Sequence, residues 1–328
     1  MKRDLWVDYT KNIACVLVVC GHFYQSMVAS QIVPETTFYR WFIQTIYYFH
    51  VPLFFICSGY LFQKYSRDGW ARRTFSKVLS LGVPYVVFTF ISLLLKKAAG
   101  DGINRPEGGI LETLLVTPMA PYWFLYVLTA IFIMTPLLKS KRAILALLLV
   151  SLLAKLLAPM LEDSQIPYVI TQLMHYEVWF AIGASISYFG IEKRIGINGI
   201  LSAILFVILS VIVVATNVSN AYLSFALGLI ACQAIVSASN SFTFPEKITD
   251  VLTRYNFPIF LMHTICAAGV RILLLKLQIT NSLLHIAIGL MASFLGPIAI
   301  TQVLASVKYC DFLLYPMKYI GRKTKHTV

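Results

Sequence analysis

Charged residues are scarce in this chain. They make up 12% of it, while 59% of its 328 residues are hydrophobic, against about 25% and 45–50% in soluble proteins. No polar segment between the apolar runs exceeds a few tens of residues, so no separate water-soluble domain is expected. Because membrane-length apolar runs satisfy their backbone groups as helices, the composition predicts an all-α polytopic membrane protein.

Metal-ligand and disulfide spacings are also missing. The six cysteines lie inside or beside apolar runs and are Cys15, Cys20, Cys57, Cys232, Cys266 and Cys310. They are interpreted as small apolar packing residues, so no metal site and no bound cofactor are expected. The N-terminal apolar run has no small-residue cleavage site, which predicts a retained first span rather than a signal peptide.

Ten apolar runs are long enough to cross a bilayer, which takes roughly 17–25 residues. Their approximate limits are 9–29, 41–63, 77–97, 120–138, 142–161, 167–189, 198–216, 220–239, 255–276 and 282–307. No inverted pair of Gly- or Pro-broken spans is visible, although such pairs mark many secondary transporters. The long loop 100–121, rich in Gly and Pro, is interpreted as a connection rather than a cap over a site.

Acidic residues are few, 14 against 27 basic ones, giving a formal charge of +13. Twenty basic residues fall at the N-terminus, in alternate loops and in a short basic tail at 308–328; five fall on the opposite side, and Lys155 and Arg271 lie within spans. This bias places both termini in the cytoplasm. It indicates sidedness and attraction to anionic lipid rather than nucleic-acid binding.

The first span carries three ionisable residues, Asp8, Lys11 and His22. Lys11 and His22 are separated by about three helical turns and share a face, with His22 roughly 16 Å deeper. Ionisable side chains inside a membrane span are costly and mark candidate sites for chemistry or binding. The alternative is that His22 is a hydrogen-bonded packing residue between helices.

Further polar residues recur at overlapping depth. Ser26 follows His22 by one turn in the first span, and other spans carry His175, Glu177, His263 and Arg271. Together they predict one polar cavity, with pairwise helix-packing contacts as the alternative. For His50, in the second span, packing is the preferred interpretation.

A buried histidine can act as a general base on a hydroxyl group, because its ordinary pKa lies near working pH. Arg72, Arg73 and Lys77 open the third span at the cytoplasmic side, where arginine forks suit the phosphates of a donor such as a CoA thioester. Taken by themselves, these residues are better explained by plain positive-inside anchoring. Tyr122, Trp123 and Phe124 begin the fourth span; an aromatic belt accounts for them, and a sugar-stacking platform is the sharper alternative.

Five segments together resemble acyltransferase family 3, integral membrane proteins that include many bacterial O-acetyltransferases. The first span resembles the family's opening motif, with Lys11 where arginine is usual and His22 eleven positions later. The segments 51–62, 121–138 and 257–271 resemble later family spans, and Arg73 with Lys77 resembles its basic entry to the third span.

This resemblance covers nearly the whole chain and implies a single transmembrane domain over 1–328 in a bacterial inner membrane. It implies an O-acyltransferase, with acetyl as the expected group, that uses cytoplasmic acyl-CoA (acetyl-CoA for an acetyl group) as co-substrate and an external carbohydrate hydroxyl as acceptor. His22 would be the essential base or acyl-handling residue, with Lys11, Arg72, Arg73 and Lys77 binding the donor. Lysine at position 11 loses the bidentate fork of arginine. No esterase-like extension is expected, so the protein would complete the transfer itself or pass the group to a glycan-assembly partner.

The remaining polar residues would then serve the acceptor or the cavity: Asp8, Ser26, Trp123, His175, Glu177, His263 and Arg271. Two other functions fit the same features. A glycan or metabolite exporter would use the polar cavity and the basic mouth for passage, and a non-catalytic membrane sensor or assembly partner would need neither.

Overall fold

A computed structural model describes residues 4–65, 69–100, 108–136, 138–161, 165–192, 199–218 and 220–320, and within these ranges the chain is helical without strands. The helices are α1 (Leu5–Ala29), α2 (Thr37–Tyr47), α3 (His50–Lys64), α4 (Trp70–Ala99), α5 (Ile110–Leu115), α6 (Trp123–Met134), α7 (Lys141–Leu157), α8 (Tyr168–Phe189), α9 (Gly199–Thr216), α10 (Ala221–Ser241), α11 (Glu246–Lys276), α12 (Ser282–Ser306) and α13 (Met317–Ile320). Short 3₁₀ turns cover Ala158–Leu161 and Cys310–Leu313.

Each of the ten predicted spans coincides with helix. Within the described ranges, eight helical stretches are long and apolar enough to cross a membrane, counting α2 with α3 and α7 with its 3₁₀ turn as one stretch each. The other two predicted spans correspond to α6, a shorter apolar helix of 12 residues, and to α8, of 22 residues. The prediction of an all-α polytopic membrane protein is confirmed, while the sidedness of the termini stays a prediction.

The chain forms two compact units that alternate along the sequence. Unit 1 contains Met1–Gly21, Pro34–Arg67 and Leu137–Asn256; unit 2 contains His22–Val33, Asp68–Pro136 and Phe257–Val328. Helices α1 and α11 therefore contribute residues to both units.

In unit 1, α3 and α8 cross at two glycines. A methyl group built on Gly59 would overlap the backbone carbonyl of Phe180, and one built on Gly183 would overlap the carbonyl of Ile56. Only glycine allows backbones to approach this closely. The contact fixes α3 against α8 at two reciprocal points.

The second predicted span of the chain, which belongs to unit 1, is interrupted between α2 and α3, at Tyr48 and Phe49. Pro52 has no N–H to donate to the carbonyl of Tyr48 four residues earlier, which explains why the helix is interrupted here. His50 begins α3 buried, with its Nδ1 2.6 Å from the carbonyl oxygen of Ile46 and its ring 4.6 Å from that of Tyr47. These contacts agree with the packing interpretation of His50.

In unit 2, α4 packs along α6. Trp70 donates its indole N–H to the carbonyl of Thr135 at 3.1 Å, and the Thr74 hydroxyl donates to the carbonyl of Phe132 at 3.2 Å. These bonds join the amino end of α4 to the carboxyl end of α6, so the two helices run antiparallel.

The predicted tail begins with folded structure as far as it is described. Asp311 is buried and accepts hydrogen bonds from the Lys318 ammonium and the Tyr319 hydroxyl, and Leu314 is also buried. These two donors lower the pKa of the Asp311 carboxyl below its ordinary value. The segment packs against α4 and α12. Residues 321–328, with the remaining basic side chains of the tail, lie outside the described residues.

Helix α12 approaches its neighbours in unit 2 through two glycines on one face. A methyl group on Gly289 would lie 2.5 Å from the ring of Phe23, and one on Gly296 would lie 2.8 Å from Sγ of Cys266. The two glycines are seven residues apart, close to two helical turns, and so share a face. Ser293 lies between them and reaches the cavity described next.

Candidate functional site

A cavity of about 430 Å³ lies within unit 2. Its walls come from the carboxyl-terminal parts of α1 and α4, the middle of α11, α12 and the segment before α6. A volume of this size is typical of small-molecule sites. The residues that border it are His22, Phe23, Gln25, Ser26, Ala29, Ser92, Leu95, Lys96, Ala99, Met119, Ala120, His263, Thr264, Ile265, Ala267, Ala268, Gly269, Arg271, Ile272 and Ser293.

Two histidines meet at this cavity. The ring centroids of His22 and His263 are 5.4 Å apart, and the planes are tilted by 43°. His22 is partly exposed, whereas the side chain of His263 is 1% exposed. The sequence predicted both as cavity residues from depth alone, and the structure brings them together.

Arg271 and Ser26 form the second polar pair of the cavity wall. The guanidinium group of Arg271 donates to the Ser26 hydroxyl, and Arg271 is 4% exposed. A hydrogen bond from a charged group is stronger than a neutral one, so the bond orients the guanidinium group. Lys96 also borders the cavity, and the lining residues include no Asp or Glu. The wall therefore carries positive charge.

The start of α6 supports the cavity wall rather than forming an aromatic belt. Tyr122 is fully buried, its hydroxyl donates to the carbonyl of Leu261 at 2.9 Å, and it lies 2.9 Å from the hydroxyl of Ser92. Because its proton is used on Leu261, the Tyr122 hydroxyl accepts from Ser92. Phe124 is buried against Phe260 with centroids 5.6 Å apart. The belt and sugar-stacking interpretations are therefore wrong for Tyr122 and Phe124. Trp123, which is partly buried, does not line the cavity.

The predicted donor-binding residues of unit 2 lie at the other end of α4. Arg72 and Lys77 are exposed and Arg73 is partly buried; the Lys77 ammonium lies 5.4 Å from the ring centroid of Phe132. None of the three borders the cavity. From Lys77 to Ser92, at the cavity wall, α4 rises about 22 Å.

The polar residues of the first helical turns belong to unit 1. Asp8 and Lys11 are partly buried on α1. Next to them, Asn12 donates to the hydroxyl of Thr253 at 2.9 Å and accepts from the amide of Asn256 at 3.1 Å. Asn256 also donates to the carbonyl of Lys11 at 3.1 Å. This amide network joins α1 to α11 within unit 1, and no sequence pattern singled it out.

His175 and Glu177 also belong to unit 1, both partly buried on α8. The Lys155 ammonium on α7 lies 3.2 Å from Nδ1 of His175 and 5.6 Å above the ring of Phe225. The sequence missed Lys155 as a partner of His175. The signal was present, since the two residues lie at similar distances from the short loop that joins their helices.

The fold and the cavity define a multi-pass helical membrane protein with a cavity that two histidines border. The chain belongs to acyltransferase family 3, whose model, described as an acyltransferase domain, matches residues 4–302. This confirms the resemblance identified in the sequence.

Two curated proteins are similar to part of the chain. It is 29% identical over 136 residues to Nodulation protein NolL of Sinorhizobium fredii, covering 41% of this chain and 36% of that protein. It is 28% identical over 132 residues to Nodulation protein NolL of Mesorhizobium japonicum, covering 38% and 33%. The matches thus span about a third of the length of these relatives. No solved structure matches the chain.

Proposed function

We propose that this protein is a membrane O-acyltransferase that moves an acyl group, most simply acetyl, from acyl-CoA to a carbohydrate hydroxyl. The observation that supports it is the cavity bordered by His22 and His263 in a chain that the acyltransferase model matches over 4–302. The proposed location is a bacterial inner membrane, with the acceptor a surface or lipid-linked glycan. Membrane lipid and glycan-assembly proteins are the proposed partners.

Sidedness gives the two substrates separate entrances. If both termini are cytoplasmic, the carboxyl-terminal parts of α1 and α4 lie in the outer half of the membrane, and so does the cavity. The acceptor then enters from outside. Arg72, Arg73 and Lys77, at the cytoplasmic end of α4, would bind the phosphates of the donor, with Lys11 as the further donor-binding residue of unit 1. The acyl arm would have to extend about 22 Å along α4 to reach the cavity.

In the proposed reaction His22 is the general base. It takes the proton of the acceptor hydroxyl while the hydroxyl oxygen forms a bond to the thioester carbonyl carbon. The carbon–sulphur bond then breaks, and the proton passes from His22 to the departing CoA thiolate. The products are an ester and free CoA, and no oxidant or metal is needed.

The negative charge that forms on the carbonyl oxygen needs hydrogen-bond donors. Arg271 is the proposed donor, because its guanidinium group is held by Ser26 at the cavity wall. Lys96 borders the same cavity and adds positive charge. Trp123, His175 and Glu177 would act in acceptor binding and Asp8 at the cytoplasmic mouth of α1, and these four residues do not border the cavity.

The proposal is tested with purified protein in lipid vesicles, radiolabelled acetyl-CoA and polysaccharide extracted from cells that lack the gene. We expect label to enter the polysaccharide with the unaltered protein. We expect His22→Ala to lower the rate by about 10²–10⁴-fold, the usual contribution of a general base. His285→Gln is the control, since His285 is buried in unit 2 away from the cavity wall. Equal transfer by His22→Ala would exclude the role of His22, and no transfer by the unaltered protein would exclude the proposed function.

A further inference from the structure

His263 is held by the backbone of its own helix. Its Nδ1 lies 2.9 Å from the carbonyl oxygen of Phe260 and 3.0 Å from that of Ile259. Carbonyl oxygens only accept hydrogen bonds, so Nδ1 must carry the proton in both contacts. In the neutral ring, Nε2 is therefore unprotonated and offers a lone pair.

That lone pair is unused. Nε2 of His263 is buried and has no hydrogen-bond partner among the described residues. A buried acceptor without a partner costs free energy, and in folded proteins such an atom calls for an explanation. Because Nδ1 faces the backbone of α11, Nε2 lies on the opposite side of the ring.

At the cavity the ring of His263 lies beside the ring of His22. Their centroids are 5.4 Å apart. Two imidazole rings joined edge to edge by an N–H···N hydrogen bond have centroids about 5 Å apart, given a nitrogen–nitrogen distance near 2.9 Å. The observed separation of the two rings is close to this value.

We propose that His263 is a positioning residue for His22. Its Nε2 accepts the N–H of His22, which leaves the other nitrogen of His22 as the lone pair that faces the acceptor hydroxyl. His263 then does for His22 what a carboxylate does for the histidine of a Ser-His-Asp triad, without a buried negative charge. The inference rests on the proposed function, in which His22 is the base.

The proton count follows from the fixed Nδ1–H of His263. The hydroxyl proton moves to the unprotonated nitrogen of His22, and the resulting imidazolium is stabilised through its other N–H by Nε2 of His263. When the carbon–sulphur bond breaks, His22 returns the proton to the thiolate. His263 gains and loses no proton in the cycle.

Two substitutions separate this role from plain packing. In His263→Asn the side-chain amide stands where Nδ1 stood, so it retains the bonds to the α11 carbonyls and removes the acceptor at Nε2. In His263→Gln the amide reaches the place of Nε2, so it restores an acceptor and loses the anchoring bonds. A packing role predicts that Asn is the milder change, and a positioning role predicts that Gln is.

The experiment is the vesicle assay with labelled acetyl-CoA and extracted polysaccharide, with kcat and KM measured for both substrates. We expect kcat to fall by at least about 10-fold in His263→Asn, with both KM values unchanged, and to recover substantially in His263→Gln. His285→Gln is the matched control: this buried histidine of α12 is bonded through Nε2 to the carbonyl of Ile279 at 2.8 Å, a bond that the glutamine amide can replace, and it does not border the cavity. It should retain kcat.

The reverse order, with Gln worse than Asn, would overturn the inference, as would a change in KM alone. Loss of the His22 requirement would instead overturn the proposed function, and the inference with it. If the variants fail to fold, the test is made on the unaltered protein by nitrogen-15 NMR. Labelling methionine as well as histidine selects the histidines that directly follow a methionine, which are His175 and His263. We expect one Nδ1–H tautomer, from His263; an Nε2–H tautomer at both positions would overturn the inference.

Discussion

At the scale of single residues, helix geometry makes some of the site predictable. The constant rise along a helix places His22, Ser26, His263 and Arg271 at similar depth, and the structure brings all four to one cavity. The burial of Tyr122 was not predictable, because an aromatic residue at a span end serves a membrane interface or a helix contact equally well.

Gly269 offers a direct test of the cavity as a substrate site. It borders the cavity, and a methyl group built on it would meet no atom within 4 Å. Gly269→Leu should therefore fill the cavity without disturbing helix packing. We expect acyl transfer to fall by about 100-fold, since small displacements of reacting groups are costly, while the thermal unfolding temperature changes little.

The matched control is Gly82→Leu. Gly82 lies on α4, has equally open surroundings and does not border the cavity. This variant should transfer acyl groups at the normal rate. Full activity of Gly269→Leu would show that the cavity does not hold a substrate.

At the scale of elements, apolar runs of membrane length predicted all ten helical stretches, because such runs must satisfy their backbone bonds internally. The interruption of the second span was not predicted, although Pro52 carried the signal: a proline removes the hydrogen bond to the residue four positions earlier, here Tyr48. In the sequence Pro52 was equally compatible with a kink. The partners of each helix were not predictable either, since apolar faces do not identify one another.

The crossing of α3 and α8 is sensitive to a single added methyl group at either of its two glycines. Gly59→Ala and Gly183→Ala each force a methyl group onto a backbone carbonyl of the other helix. We expect each to destabilise the protein by about 2–3 kcal/mol, near the upper end for overpacking, because backbone cannot move aside as a flexible side chain can. Thermal unfolding in detergent measures the loss.

Gly82→Ala is the control for this pair, because its methyl group meets no atom within 4 Å. It should be neutral or stabilising by about 0.5–1 kcal/mol, the gain of alanine over glycine within a helix. If Gly59→Ala and Gly183→Ala unfold at the same temperature as Gly82→Ala, then α3 and α8 do not approach each other as closely as described.

At the scale of the whole molecule, the division into two units could not be read from the sequence. Each unit is assembled from three separate segments, and α1 and α11 contribute to both. No composition shift or linker marks these boundaries, because the segments share the same apolar character. The sidedness of the molecule is predicted instead from the distribution of lysine and arginine, with 20 residues on one side against five on the other.

Reporter fusions test this sidedness. A fluorescent protein joined after residue 328 should fluoresce, and alkaline phosphatase joined there should be inactive, because we expect that end in the cytoplasm. Alkaline phosphatase inserted in the loop 100–121 should be active. The opposite pattern at both sites would invert the topology and place the cavity in the cytoplasmic half.

The double anchorage of His263 has one more consequence. A histidine usually relays protons by taking one at one nitrogen and releasing another from the far side of the ring. Because Nδ1 donates its proton to two carbonyl oxygens, this imidazole cannot pass a proton from one side of its ring to the other. A proton in the cavity therefore has no exit through this ring into α11, and in the proposed reaction it leaves with the CoA thiol.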